Sequence, residues 1–494
     1  MSLFSEQLRG LIQERGLKIY AFAAECGTDR TLIHKILKGD RLPADRSVVE
    51  KFASVLLLDP QETERLIRNY RIAKMGEGVY ARRRAVSEFF ANIDPPPAGG
   101  GVPIPQTQPL HLPSGGTVYG KLEVNRLIEI VLEDEAARRN GRIQVLAQPE
   151  HAFLMEQLAL VGIRREELCI QHIICLENSL KERSSVYNLN CLRRIMPVIA
   201  AGCQYSPRYY YDSVGSHFGN TCVMPYLILT SRLAVTLSAD GSCAAVFDAP
   251  DYRELYRRIF DGLLEKSFPL TRVFHTPAEQ MGYYMRLCAD FEYIEYDFMP
   301  DPCILFFADR SMLRRSISPA LTADPAFLKA GPAYVKGALG INRMQHIRSI
   351  YFSQEGLEDF LATGRITEVP EECYSPLSFS DRYLLLRRLY KAALKGDYHP
   401  VLVDSKKIKI PKNLCSYFFH GGAVCFVYTA PGRNFTAFSV AEKSIFYAFQ
   451  DFFSYLPESG DTFSEEETLS ILKSVLERAP EKDAPESRTF AGEG

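Results

Sequence analysis

Residues 26–41, CGTDRTLIHKILKGDR, gather the side chains of this chain best suited to holding a polyanion. Arg30, Lys35, Lys38 and Arg41, with the imidazole of His34 and the hydroxyl of Thr31, fall in one short stretch. A guanidinium can bind guanine O6 and N7 through two hydrogen bonds, whereas an ammonium is a point charge suited to phosphate. Other constellations also invite chemistry. Glu292, Glu295 and Asp297 in DFEYIEYDF could pair as acid and base, although their alternation fits the exposed face of a strand. Arg208, Tyr209, Tyr210 and Tyr211, in YSPRYYYDSVGSHFGN (205–220), form a polar aromatic loop of the sort that lines an effector site. An ordinary loop with half-buried tyrosines is the plainer reading. His172 lies in the apolar run CIQHIICL, where a satisfied core histidine is expected rather than a ligand or base.

No GK[ST] follows the glycines of AGGGVP (98–103), and no GxSxG, HExxH or GxGxxG is present. The twelve cysteines contain no CxxC, and the nearest two, Cys169 and Cys175, are six apart. Reduced structural thiols are expected, with no metal site, no cofactor, no catalytic residue and no enzymatic activity.

The elements that must position the basic stretch follow from local signals. Phe22 and Ala23 give one short helix an apolar face, and Gly27 ends it where a left-handed residue is needed. Asp29 is placed to cap a second helix from Arg30 to about Leu37, and Gly39 stops it. Ile33 and Ile36 must face the core, which turns Arg30, Thr31, His34 and Lys35 outward, with Lys38 and Arg41 just beyond. Phe4, Leu8, Leu11 and Ile12, and then Val49, Phe52, Ala53 and Leu56, repeat at helical spacing. A further helix starts near Pro60, so about five short helices precede residue 75.

Residues 3–66 thereby resemble the Cro/phage-repressor (XRE) type of helix-turn-helix domain. The frame Gly27-x-x-Arg30-x-x-Ile33-x-x-Ile36-x-x-Gly39, the following Pro43 and the apolar helix at 48–58 carry the resemblance. It implies an all-α five-helix DNA-binding domain whose second motif helix reads double-stranded DNA with Arg30 and Thr31, and with Lys35 one turn on. Lys38 and Arg41 suit phosphates. The family usually opens the preceding helix with Ser/Thr and then Gln; here Lys18 and Ile19 stand there, and Lys18 could serve as a phosphate contact instead. Position 37, commonly Glu in the family, is Leu37.

Over the whole chain the charge is −2, but residues 1–90 hold 16 Lys/Arg against 12 Asp/Glu, so any polyanion would be met at the N-terminus. The expected architecture is multidomain: a helix-turn-helix domain at 1–75, a helical extension at 76–93 and a Pro/Gly linker at 94–117. A larger α+β or α/β body follows, as one lobe at 118–270, a second at 271–477 and a disordered tail at 478–494. LCIQHIICL (168–176), PYLILTSRLAVTLS (225–238), PCILFFAD (302–309) and AVCFVYTA (423–430) read as strands. Residues 226–264 and 416–453 share an order of strands, turn and helix, and an offset of 190 matches Leu255 with Ile445 and Ile259 with Phe449. Two related lobes or chance likeness between amphipathic helices would both give that echo. No apolar run is long enough for a membrane span. The expectation is a cytoplasmic, homodimeric, sequence-specific DNA-binding regulator whose body senses a small-molecule or peptide effector or dimerises. An interaction protein that docks through its helix-turn-helix, or an enzyme body with a targeting domain, is the alternative.

Overall fold

The computed structural model describes residues 2–93, 116–178, 182–215, 223–290, 294–304, 307–316, 318, 347–429 and 435–479. Most of the expected linker and the tail from residue 480 lie outside the described residues, as do Glu292 and residues 216–222. The chain divides into two compact units, Met1–Ala85 and Val86–Gly494.

The first unit is helical: α1 (Leu3–Glu14), α2 (Ile19–Glu25), α3 (Arg30–Lys38), α4 (Arg46–Val55), α5 (Pro60–Met75) and the start of α6 (Glu77–Ala91). Its helix starts are set by short polar side chains. Ser2, Asp29, Asp45 and Asp59 each accept a hydrogen bond from a backbone N–H of the first turn, and Asp59 with Glu62 closes a capping box ahead of Pro60. Phe4, Leu8, Phe22, Ile33, Ile36 and Phe52 are fully buried in one core. Burial of each such side chain contributes about 1.5–3 kcal/mol.

The boundary between the two units falls inside α6, whose last turns belong to the second unit. Phe89 packs on Phe426 and Phe449, and Phe90 on Phe298 and Phe453. The body is α/β, with two mixed sheets. Its first lobe runs β1 (Thr117–Tyr119), α7 (Lys121–Ala136), β2 (Arg142–Leu146), α8 (Ala152–Arg164), β3 (Cys169–Leu176), α9 (Glu182–Ile199) and β4 (Gln204–Tyr211). It continues through β5 (Tyr226–Leu229), β6 (Ala234–Leu237), β7 (Cys243–Phe247), α10 (Pro250–Lys266) and β8 (Phe268–Pro269). The second lobe runs β9 (Thr271–Phe274), α11 (Pro277–Asp290), β10 (Ile294–Phe298), α12 (Arg310–Ser316), β11 (Ile347–Ser353), α13 (Gln354–Thr363) and α14 (Phe379–Leu394). It ends with β12 (Pro400–Val403), β13 (Leu414–Phe419), β14 (Ala423–Tyr428), β15 (Thr436–Val440), α15 (Lys443–Tyr455) and α16 (Glu465–Arg478).

The two sheets share one topology. The first has the order β1-β7-β6-β5-β2-β3-β4-β8; the second, β9-β15-β14-β13-β10-β11-β12. The pairs β2/β3, β3/β4, β10/β11 and β11/β12 are parallel and the rest antiparallel. Even the β8 edge has a counterpart, the antiparallel bridge of Val403 with Thr462. Thr236 pairs Ala245 and Phe426 pairs Phe438, so the offset of 190 at β6 becomes 193 at β7. The following helices keep 193. Buried Phe260 then falls on buried Phe453, whereas 190 would set it on Gln450. The helices of the two lobes therefore match at an offset of 193 rather than 190, and the lobes share one order of strands and helices.

Two strand readings also need correction. Pro302–Ile304 forms no strand; Cys303 and Ile304 are buried as apolar filling rather than as ladder residues. Glu295 and Asp297 do lie on β10, but both are buried, because β10 is an inner strand between β11 and β13 with both faces covered.

The lobes meet where α15 runs along α9. The Asn188 amide accepts from the Glu177 N–H (3.0 Å) and donates to the Glu177 carbonyl (3.1 Å) and to Ser444 Oγ (2.9 Å). Ile445, Ala448 and Phe452 of α15 are 0%, 0% and 6% exposed. The equivalent Tyr252, Leu255 and Ile259 of α10 are 53%, 52% and 47% exposed, so the same helix face is covered in one lobe and open in the other.

Candidate nucleic-acid interface

The helix-turn-helix is α2, a turn and α3. Cys26 and Gly27 close α2, and Gly27 takes φ +61°, a conformation costly for any residue with a Cβ. Thr28 N–H then returns to the Ala23 carbonyl at 2.9 Å, which fixes the exit direction of the chain. Asp29 Oδ1 accepts from the Thr31 and Leu32 N–H groups at 2.7 and 3.3 Å. Hydrogen bonds from Thr31, then Leu32, with Lys35 nearby, hold the Asp29 carboxyl below the usual carboxylate range. Gly39, at φ +83°, stops α3.

The inward face of α3 is Ile33, Ile36 and Leu37, all buried. Leu37, where the resemblance leads one to expect Glu, packs into the core, and its carbonyl accepts from the Arg9 guanidinium at 2.6 Å. Ser5 Oγ donates to the Ile36 carbonyl at 2.7 Å. The first ties down a carbonyl at the C-terminal end of α3, and the second joins the Gly39 N–H, which meets the Ile36 carbonyl at 3.0 Å. They are positioning contacts that the apolar pattern did not reveal.

Arg30, Thr31, Lys35, Lys38 and Arg41 are exposed, and His34 is half-buried. Lys18 is exposed at the N-cap of α2 and makes no cap hydrogen bond, since an ammonium has no acceptor to offer. Among the described residues, none of Lys18, Arg30, Lys35, Lys38 and Arg41 has an ion-pair partner within 4.0 Å. Tyr20, in the first turn of α2, is 60% exposed.

The tyrosine segment has a different place. Residues 204–211 are strand β4, not a loop, paired with β3 and β8. The Arg208 guanidinium is spent on Ser267, whose hydroxyl it meets at 2.8 Å. Tyr209 stacks near Phe268, and Tyr210 packs against the small cluster around Phe260. Tyr211 donates to Glu442 at 2.6 Å across the lobe boundary, and Glu442 also caps α15. Strand pairing and β-propensity outweigh the loop-like polarity here.

His172 is a core histidine, as expected. Its Nε2–H donates to the Ala147 carbonyl at 2.9 Å, Nδ1 accepts from Tyr205 at 2.7 Å, and burial pushes its pKa down to about 4. Ten cysteines, Cys26 to Cys425, stand outside any disulfide among the described residues. Among the described residues, no three His, Cys, Asp or Glu side chains converge as a metal site, and no helix is long and apolar enough to cross a membrane.

Residues 3–66 match a protein family described as a helix-turn-helix domain, so the N-terminal domain is a helix-turn-helix. No curated protein matches the chain. Among solved structures, a crystal structure of polyphosphate kinase from Porphyromonas gingivalis aligns with 66% of this chain at 12% identity and a TM-score of 0.21. The chain spans 47% of that protein, and so loose an alignment carries no argument about fold or activity.

Proposed function

We propose that the protein is a cytoplasmic, sequence-specific DNA-binding transcriptional regulator. Its α3 reads the major groove, and its two-lobed body serves effector sensing and dimerisation rather than catalysis. The observation that carries this reading is the outward face of α3: exposed cations without ion-pair partners on a helix whose other face is fixed in the core. Exposed cations at the start of a helix-turn-helix's second helix suit phosphate and base edges. Arg30 and Thr31 at the start of α3 are assigned to bases, Lys35 to the next turn, and Lys18, Lys38 and Arg41 to phosphates. One motif grips a half-site, so two copies about 34 Å apart along the duplex are needed for useful affinity.

Selection from random duplex DNA with the full-length protein tests the reading. A recurrent motif with two half-sites is the expected result. Selection that enriches nothing at low salt would favour use of the helix-turn-helix as a protein-docking surface.

A further inference from the structure

Because the lobes share one topology, each can be compared with the other position by position, and one position differs in kind. In the second lobe, the loop after β10 and the start of β13 are filled by Cys303 and Cys415, 4% and 0% exposed. The equivalent places in the first lobe hold His151, after β2, and Tyr226, at the start of β5, with ring centroids 6.1 Å apart. Here a cleft of about 210 Å³ opens. Its wall includes Lys121 and Asn125 of α7, Glu150, His151, Tyr226 and the β6–β7 turn at Asp240–Gly241.

The groups in it are complementary to a zwitterion. His151 Nδ1 accepts the Leu154 N–H at 3.3 Å as the cap of α8, which leaves Nε2 as the protonated nitrogen. That Nε2–H is buried and meets no partner among the described residues, and such a donor is costly to leave unmet. Gly241, at φ +68°, gives it room: a Cβ there would stand 3.1 Å from Nε2. Burial holds the imidazole neutral, and Lys121 adds to that effect. Lys121 and the N-terminal turn of α8 favour a carboxylate beside Nε2. Opposite charge is also present: Glu150, paired with Arg194 at 3.1 Å, and Asp240, whose hydrogen bonds from Ser238 and Ser242 keep it ionised, with a pKa down to about 2. These carboxylates suit an ammonium.

We propose that this cleft binds a free α-amino acid, its carboxylate on His151 Nε2–H and Lys121 and its ammonium toward Glu150 and Asp240. The inference rests on the effector-sensing part of the proposed function and gives that effector a chemical class. The test is thermal unfolding of the full-length protein, without DNA, against the twenty amino acids singly at millimolar concentration, with acetate and succinate as anion-only controls and ethylamine as a cation-only control. At least one amino acid should raise the midpoint by about 2–4 °C, with no control doing so. His151→Asn keeps a capping side chain but removes the Nε2–H, and Gly241→Ala fills the space beside it. Each should weaken binding by calorimetry about tenfold or more while the ligand-free protein stays folded. If no amino acid shifts the midpoint, if acetate, succinate or ethylamine shifts it equally, or if His151→Asn binds as well as the parent, the assignment is wrong. DNA selection is independent of all three outcomes, so either reading can fail alone.

Discussion

At the scale of single residues, the cations of α3 have distinct expected roles. Arg30→Ala should cost about 1–3 kcal/mol in DNA affinity and relax the preference at one base pair. Lys38→Ala should weaken every sequence alike and lower the slope of affinity against salt by about 1. Binding of a panel of point-mutated sites at several salt concentrations separates the two. Buried acids in the second lobe make a different prediction. Asp297 is fully buried with both carboxylate oxygens unpartnered, and burial, with Glu368 and Asp301 close by, pushes its pKa far up. Burial likewise raises Asp301 to about 6 and Glu368 to about 7. Above about pH 4 the folded body therefore keeps protons that the unfolded chain has released. Its stability should fall as pH rises from about 4, the shares of Asp301 and Glu368 ending near pH 6 and pH 7 and that of Asp297 continuing above them. Asp297→Asn, which cannot ionise, should flatten the decline and raise stability at neutral pH; denaturant midpoints measured from pH 4 to 8 would show this.

At the scale of elements, α2 and α3 were legible because their ends are written in local chemistry. Asp29 caps, Gly27 and Gly39 take left-handed backbone, and Ile33 and Ile36 fix the inward face. The absence of a cap at Lys18 was legible too, and it gives a test. Lys18→Ser should supply the missing acceptor and stabilise the domain by about 0.5–2 kcal/mol. If Lys18 holds a phosphate, the same variant should bind DNA more weakly despite being more stable, so unfolding and binding would move in opposite directions. Elements in the body were less legible because their fates depend on distant partners. Residues 204–211 carry a loop-like composition yet become a strand between β3 and β8, and Tyr211 is claimed by Glu442, more than two hundred residues away. Glu295 and Asp297 alternate as an exposed face would, and only the placement of β10 between two strands buries them. Asn188 shows the energetic side. Asn188→Ala would strip partners from both backbone groups of Glu177 and should cost about 1–3 kcal/mol, read in the denaturant midpoint.

At the scale of the whole molecule, the repeat was visible as a shared order of strands, turn and helix in 226–264 and 416–453, while the equivalent strands share few residues. Its register could not be read without the ladder, because amphipathic helices match one another at more than one offset. The repeat also marks what differs between the lobes: an open cleft where the second lobe is filled, and an exposed stripe on α10 where α15 is covered. Exposed apolar stripes of this sort favour association. If the proposed dimer forms through this stripe, Leu255→Glu with Ile259→Glu should lower the sedimenting mass to that of one chain, and an unchanged mass would rule this stripe out as its contact. The grip of α3 on DNA is read in the affinity of the full-length protein for its selected duplex across a salt series. Affinity should fall steeply with salt, and Arg30→Ala with Lys35→Ala should remove most of the preference over random duplex. Affinity and preference that survive that double substitution unchanged would contradict the account.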